Sequence, residues 1–109
     1  MLAILFAGCQ PEEFTPDENL LYGKWVINNT EYWRYNSDHT GSTWDERDSV
    51  YEWEAQLFTW ELEGVQLTQY HKMENSSAVV PKTYTVVSLT KEELQYEDYY
   101  GNIKTFSRR

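Results

Sequence analysis

The chain has 109 residues, enough for one domain with a single hydrophobic core. Its formal net charge is −9, from 18 acidic and 9 basic residues, and such a surface repels nucleic-acid phosphates and anionic membrane faces. The single cysteine excludes an intramolecular disulfide and a metal site built on several thiolates. Five Trp, nine Tyr and four Phe favour strands, because flat side chains pack well on a pleated surface.

The chain begins with an apolar run, Met1 to Ala7, that is too short to span a bilayer. Such a run is typical of the end of a signal-peptide apolar region. Phe6-Ala7-Gly8-Cys9 resembles a lipobox, in which the peptide is cut before the cysteine and the new N-terminal cysteine carries lipid. Leu is more usual at the Phe6 position and no basic residue precedes the run, so we expect the natural start to lie upstream. The alternative is an incidental or buried cysteine after an apolar strand.

The lipobox resemblance divides the chain into a signal-peptide remnant (1–8), a lipidated cysteine with its tether (9–14) and a folded domain (15–109). It implies a membrane-anchored lipoprotein of the bacterial cell envelope. Gln10 is not an acidic retention signal, so the resemblance implies the outer membrane, with the domain facing the periplasm or the cell surface. Stable anchoring requires more than one acyl chain, which a diacylated and N-acylated cysteine supplies.

A short helical turn is predicted at the start of the folded part. Thr15 is a candidate cap, Pro16 suits the first helical position and Glu18 completes a capping box. Gly23 is well placed to end the turn. We therefore expect one or two turns over Pro16 to Leu21.

Beyond this turn the helical period disappears and apolar residues alternate. The run Tyr22 to Asn28 places Trp25 and Ile27 on one face. The next predicted elements are strands at 31–36 and 42–46, an alternating run Tyr51/Trp53, and strands at 58–63 and 65–69. After a polar loop at 71–78 come a strand at 80–88, a strand that begins at 94 and a last strand at 104–108.

Four connections are readable from turn chemistry. The apolar positions switch from odd to even between Trp53 and Phe58, which requires a turn or bulge near residues 55–56. Glu63-Gly64 and Gly101-Asn102 predict hairpins, and a second capping box at residues 90–93 predicts a short helical turn. Pro81 is expected near a strand start or on a free edge.

About eight short strands joined by short turns predict an all-β domain. A meander of that length usually closes on itself, because an open sheet leaves two unpaired edges. The predicted fold is a small antiparallel up-and-down β-barrel with a short N-terminal helical turn, and we expect it to be a monomer.

Several motifs resemble those of lipocalin-like bacterial lipoproteins. Gly23-Lys24-Trp25 is similar to the Gly-x-Trp that opens the first lipocalin strand, and the preceding short helix is a lipocalin feature. The segments 35–41, 58–62 and 89–94 also follow the family pattern, with His39 in place of the usual Gly. The resemblance implies that Arg108, from the last strand, packs over Trp25 and closes the barrel as a cation–π pair.

No catalytic or metal site is expected. His39 and His71 are the only histidines and do not form a metal-binding pair, and the serines lack a nucleophile-elbow context. Asp45, Glu46 and Asp48 are better interpreted as a solvated acidic loop than as a calcium site. We predict that the protein is not an enzyme and needs no cofactor.

The remaining candidate site is a set of aromatic residues that share strand faces. If the barrel holds a ligand, they are its expected lining: Trp33, Tyr35, Trp44, Phe58, Trp60, Tyr84, Tyr96 and Phe106. One hypothesis is a binding module that takes a small apolar or amphipathic ligand in the barrel mouth. The alternative is a structural or protein-interaction module whose aromatic residues fill the barrel, as in other small barrels.

Overall fold

The computed structural model describes residues 14–73 and 77–109. A four-residue helix, α1, precedes eight strands. The elements are α1 (Glu18–Leu21), β1 (Gly23–Ile27), β2 (Glu31–Tyr35), β3 (Thr40–Asp45), β4 (Gln56–Glu63), β5 (Gln66–Lys72), β6 (Val79–Leu89), β7 (Glu93–Glu97) and β8 (Ile103–Arg108).

The eight strands form one closed antiparallel barrel in which each strand pairs with its neighbours in sequence. β1 closes the barrel against β8, with Trp25 opposite Arg108 and Val26 opposite Ser107. The predicted up-and-down barrel of about eight strands is therefore confirmed. Because consecutive hairpins alternate in direction, every second connection lies at the same end of the barrel.

The inward face follows directly from the alternation in the sequence. Trp25 pairs with Trp33, and Trp33 pairs with Thr43, so these side chains project to one side of the sheet. The opposite parity faces outward. The buried interior cluster consists of Leu21, Trp25, Tyr35, Phe58, Trp60, Leu67, Val86, Leu89, Leu94, Tyr96 and Phe106.

Helix α1 covers one end of the barrel, called here the closed end. Leu21 is fully buried in the interior cluster, and the Tyr22 ring lies 6.2 Å from that of Trp60. The helical turn is confirmed, but its predicted cap is wrong. The helix begins at Glu18, so Pro16 lies before it and not in its first position. The cap is Asp17, whose Oδ1 accepts a hydrogen bond from the Asn19 N–H.

The connection between β3 and β4, residues 46–55, folds back over the outside of the barrel and is called here the flap. It contains two 3₁₀ turns, Glu46–Asp48 and Glu52–Glu54. Its Val50 and Ala55 pack on an outer cluster of Val26, Tyr32 and Trp44. The Arg34 guanidinium holds Glu52 through an ion pair at 2.8 Å.

The flap corrects the prediction of an alternating run at Tyr51 and Trp53. These residues are not in a strand, because residues 52–54 form a 3₁₀ turn in which Glu54 N–H donates to Tyr51 O. The two rings instead stack on each other, with centroids 5.1 Å apart. Their spacing of two therefore reflects a tight turn and not the pleat of a sheet.

Two further connections differ from expectation. Residues 90–92 form a hairpin turn and not a helical one: Thr90 Oγ1 accepts hydrogen bonds from Glu92 and Glu93 N–H, while Thr90 N–H donates to Glu93 O. The polar loop expected from His71 is shorter, since β5 continues to Lys72 by pairing with Val79. Pro81 is the third residue of β6, in the half that β7 does not reach.

The predicted lipidation at Cys9 and the signal remnant lie outside the described residues. In the two described segments, none of the helices has the length and apolar character needed to cross a membrane.

Candidate ligand-binding site at the barrel mouth

Five of the eight predicted lining residues lie deep in the barrel and fill it. Trp60 is completely buried, and Tyr35, Tyr96, Phe106 and Phe58 are at most 4% exposed. Their rings interlock, with Tyr35 edge-on to both Phe58 (5.7 Å) and Trp60 (5.6 Å). The closed half of the interior is therefore a packed aromatic core.

Trp44 does not belong to the interior set, and its prediction as a lining residue of the barrel interior is corrected. It pairs with Tyr32, whose side chain has the opposite parity to Trp33, and so it faces outward. Its ring stacks on Tyr32 at 5.3 Å beneath the flap. Its Nε1–H is buried without a hydrogen-bond partner among the described residues.

The closure residues meet as the resemblance implies. The Arg108 guanidinium carbon lies 4.1 Å from the Trp25 ring centroid. The same guanidinium donates to the carbonyl oxygens of Tyr22 (2.6 Å) and Lys91 (2.9 Å). A Cβ on Gly23 would lie 2.6 Å from Arg108 Nη1, so this glycine makes room for the arginine.

A series of buried polar side chains, which sequence reasoning missed, runs from the core towards the end of the barrel opposite α1. Gln69 is fully buried, and its Nε2 donates to the Tyr35 hydroxyl at 2.7 Å. Its Oε1 lies 2.8 Å from His71 Nε2, so the ring donates from that nitrogen. The available signal was the position of Gln69, two residues after the inward-facing Leu67.

The end opposite α1 is called here the mouth. It is bounded by the connections 28–30, 46–55 and 98–102 and by residues 73, 77 and 78. Trp33 and Tyr84 are the two inward-facing predicted lining residues that lie here, and both are only partly buried while packing on the core. The mouth is therefore the part of the interior where aromatic surface meets solvent.

The first depression at the mouth is the tryptophan cleft, with a volume of about 360 Å³. Trp33 is its aromatic wall, and the ring of His71 lies edge-on to it at 6.0 Å. The carboxylate of Glu31, which also lines the cleft, accepts a hydrogen bond from Trp33 Nε1 at 2.7 Å. The cleft is lined by Glu31, Trp33, Thr43, Trp44, Asp45, Asp48, Val50, Gln56, His71 and Lys82.

The second depression is the tyrosine cleft, with a volume of about 470 Å³. It opens where the first half of β6 extends beyond its pairing with β7, which spans only Thr85 to Leu89 of β6. The loop after β7 forms the other side of this gap. The lining residues are Pro81, Lys82, Thr83, Tyr84, Asp98, Tyr99, Tyr100 and Lys104, and Lys82 is common to both clefts.

The environment of the mouth shifts three pKa values. Burial, and then the charge of Lys82, lower the pKa of His71, which favours its neutral form. Burial, and then the carboxylates Asp98 and Glu31, raise the pKa of Tyr84 and keep it a neutral phenol. The backbone N–H of Asn102 is the largest of several causes that lower the pKa of Asp98.

A third depression, of about 530 Å³, is an outer groove on the barrel wall. It runs between the outward residues Leu57 and Val79, which are 75% and 54% exposed. Phe58 is the member of the predicted ligand-binding set that lines this groove, and its ring packs in the interior cluster. The other seven predicted residues do not line it.

Searches against known protein families, curated proteins and solved structures found no match. Among the described residues, three or more His, Cys, Asp or Glu side chains never come together as a group able to hold a metal ion. The arrangement at the mouth offers aromatic rings, two lysines and hydrogen-bonding groups. This chemistry suits reversible binding of a small molecule.

Proposed function

We propose that this chain is a lipocalin-like lipoprotein of the bacterial cell envelope that binds a small amphipathic ligand at the mouth of its barrel, without catalysis or a cofactor. The observation that carries the proposal is the contrast along the barrel axis. Tyr35 and Trp60 are sealed in the core, whereas Trp33 and Tyr84 are partly open to solvent beside polar groups. Ligand sites usually combine such apolar walls with a few fixed polar groups.

The depth of the site follows from the same contrast. The packed core leaves the ligand only the outer half of the interior, so the ligand is bound shallowly. The two clefts of about 360 and 470 Å³ are within the size range of small-molecule sites. A ligand in the mouth keeps one side in water, which suits an amphipathic molecule better than a purely apolar one.

The position of the N-terminal segment supports an anchored binding module. The described chain begins at Phe14 and enters α1, which covers the closed end. A tether from Cys9 therefore reaches the domain at the end opposite the mouth. An anchor at that end would leave the mouth directed away from the membrane and towards soluble ligands.

The anchor is tested by expressing the chain behind a complete signal peptide in a lipoprotein-processing host. We expect the mature protein to begin at Cys9, to carry the mass of the acyl groups and to fractionate with membranes. The Cys9→Ala variant should be soluble after release from the cell envelope. A Cys9→Ala protein that still fractionates with membranes would refute the anchor.

The ligand site is tested with the neutral fluorescent probe N-phenyl-1-naphthylamine. We expect saturable binding to the folded protein, weakened about tenfold by Trp33→Ala, since removing an aromatic wall costs roughly 1–2 kcal/mol. Trp53→Ala is the control, because Trp53 is 81% exposed on the flap. Absence of probe binding, together with a bare-protein mass in native mass spectrometry of material from the natural host, would refute the binding function.

One observation favours the second candidate, a protein-interaction module. The stacked pair of Tyr51 and Trp53 is exposed on the flap, and exposed tryptophan is a frequent anchor of protein interfaces. This candidate predicts that Trp53→Ala abolishes a partner interaction while probe binding at the mouth is absent.

A further inference from the structure

Two lysines face the inside of the barrel at the mouth. Lys82 pairs across the sheet with Gln69, and Lys104 pairs with Tyr96. Gln69 and Tyr96 are at most 1% exposed inside the barrel, so the lysines share their inward side of the sheet. The lining of the tyrosine cleft holds these two lysines and one carboxylate, Asp98, so in a chain with 9 basic and 18 acidic residues it carries a small positive net charge.

Neither lysine has an ion-pair partner within 4 Å among the described residues. The neighbouring carboxylates are already held by other donors. Glu31 accepts from the Trp33 indole, and Asp98 Oδ1 accepts from the backbone N–H groups of Tyr100 and Asn102, both at 2.9 Å. A hydrogen bond does not remove the charge of a carboxylate, and the charge of Lys104 contributes to lowering the pKa of Asp98. Since neither lysine meets a carboxylate within 4 Å among the described residues, both ammonium groups are available to an anionic ligand.

Aromatic surface lies next to these ammonium groups. The tyrosine cleft combines Lys82 and Lys104 with the rings of Tyr84, Tyr99 and Tyr100. Tyr99 and Tyr100 are 90% and 83% exposed, so a large area of aromatic surface is in contact with solvent. Flat rings beside two cations fit a ligand with an apolar body and a negative end.

We propose that the ligand of the mouth carries an anionic group, such as a carboxylate, sulfonate or phosphate, that binds between Lys82 and Lys104 while its apolar body lies on the aromatic rings of the mouth. The inference rests on the proposed function, because it specifies the chemistry of a ligand at the same site. It goes further by assigning the polar recognition to two named residues.

Two probes with the same aromatic body separate the two claims. N-phenyl-1-naphthylamine is neutral, and 8-anilinonaphthalene-1-sulfonate is the same molecule with a sulfonate. Fluorescence titrations of the folded protein should show that the sulfonate probe binds more tightly, by about tenfold at low salt. Added salt should weaken the sulfonate probe and leave the neutral probe unchanged.

The lysines are tested by Lys82→Gln and Lys104→Gln. Each should weaken the sulfonate probe about fivefold, as expected for a partly screened ion pair, and leave the neutral probe unchanged. Lys91→Gln is the matched control, since it removes the same charge from the turn at the closed end. It should leave both probes unchanged, and circular dichroism verifies that every variant is folded.

The outcomes distinguish the two proposals. Equal affinity for the two probes, or a sulfonate preference that survives both lysine substitutions, overturns the anionic ligand while the binding function stands. A loss that is equally large in Lys91→Gln also overturns it, because the effect is then one of net charge. Failure of both probes to bind overturns the binding function itself.

Discussion

Arg108 joins the two ends of the chain through several contacts at once. Its guanidinium lies over Trp25 and donates to carbonyl oxygens in the segment after α1 and in the turn before β7. A cation–π contact contributes about 0.5–2 kcal/mol, and hydrogen bonds from a charged group contribute about 1.5–3 kcal/mol. Gly23 permits the close approach, since any side chain there meets the guanidinium.

We therefore predict that Arg108→Ala lowers the free energy of unfolding by about 2–4 kcal/mol, because it also leaves the partly buried carbonyl oxygens of Leu20 and Tyr22 without this donor. Arg109→Ala is the control, since Arg109 is exposed on the other side of the strand. It should change stability by less than about 0.5 kcal/mol. Urea unfolding measures both, and equal effects of the two substitutions would contradict this role of Arg108.

Glu18 fixes α1 to the closed end. Its carboxylate accepts from the Tyr22 hydroxyl at 2.7 Å and lies 2.8 Å from His39 Nε2. Burial acts to raise its pKa, but these hydrogen bonds and the His39 charge outweigh it and lower the pKa. A lowered folded-state pKa means that the carboxylate stabilises the fold above its unfolded pKa and loses this effect as pH falls through the folded value.

The pH dependence follows from this sign. Glu18→Gln should destabilise the protein at pH 7, and its difference from the unmodified chain should shrink as the pH is lowered below about 4.5 and through the lowered folded-state pKa. Thermal unfolding across this range measures the difference. Glu63→Gln, at the exposed end of β4, serves as the control. A Glu18→Gln effect that is constant with pH would argue against the ionised carboxylate.

The turns show where local conformation and tertiary contacts compete. His39 has φ +70° and Ser49 has φ +61°, a region that glycine occupies most easily. His39 is held there by Glu18 and by its contact with Trp60, at 4.3 Å between ring centroids. Ser49 ends a 3₁₀ turn of the flap, and it is held through its backbone, whose N–H donates to Glu46 O.

The two positions should therefore respond differently to glycine. Ser49→Gly should stabilise the protein by about 0.5–1 kcal/mol, because it relieves the left-handed conformation and loses little. His39→Gly relieves the same conformation but removes the ring and its hydrogen bond with Glu18, so we expect a net loss of stability. Chemical denaturation of both variants measures this, and a gain in His39→Gly would contradict the role given to its contacts.

The strands were predictable where one face is buried, because the alternation of Trp25 with Lys24, or of Phe58 with Thr59, fixes which side faces the core. The flap was not predictable in the same way. Tyr51 and Trp53 have strand-like spacing, yet they are stacked and exposed, and only the tertiary contacts of Val50 and Glu52 fix their segment. At Thr90 a helical turn was predicted where the chain forms a hairpin turn, since a threonine side chain caps both kinds of turn in the same way.

The sequence predicted the aromatic set of the barrel, but it did not divide the set between core and mouth. That division depends on barrel closure, on how far α1 reaches inside and on where β7 stops pairing with β6. None of these is encoded in a two-residue period. The buried Gln69 and the inward lysines were also missed, because an isolated polar residue in a strand does not reveal which neighbours enclose it.

The most direct test of a ligand site at the mouth uses the indole N–H signals of the five tryptophans. These groups sit in different surroundings: Trp33 bonds to Glu31 at the mouth, whereas Trp25 and Trp60 bond to backbone carbonyls at the closed end. Titration with N-phenyl-1-naphthylamine, followed by ¹H–¹⁵N NMR, should shift the Trp33 indole signal saturably and leave those of Trp25 and Trp60 in place. A titration that moves only the Trp53 signal on the flap, or none of the five, would contradict ligand binding at the mouth.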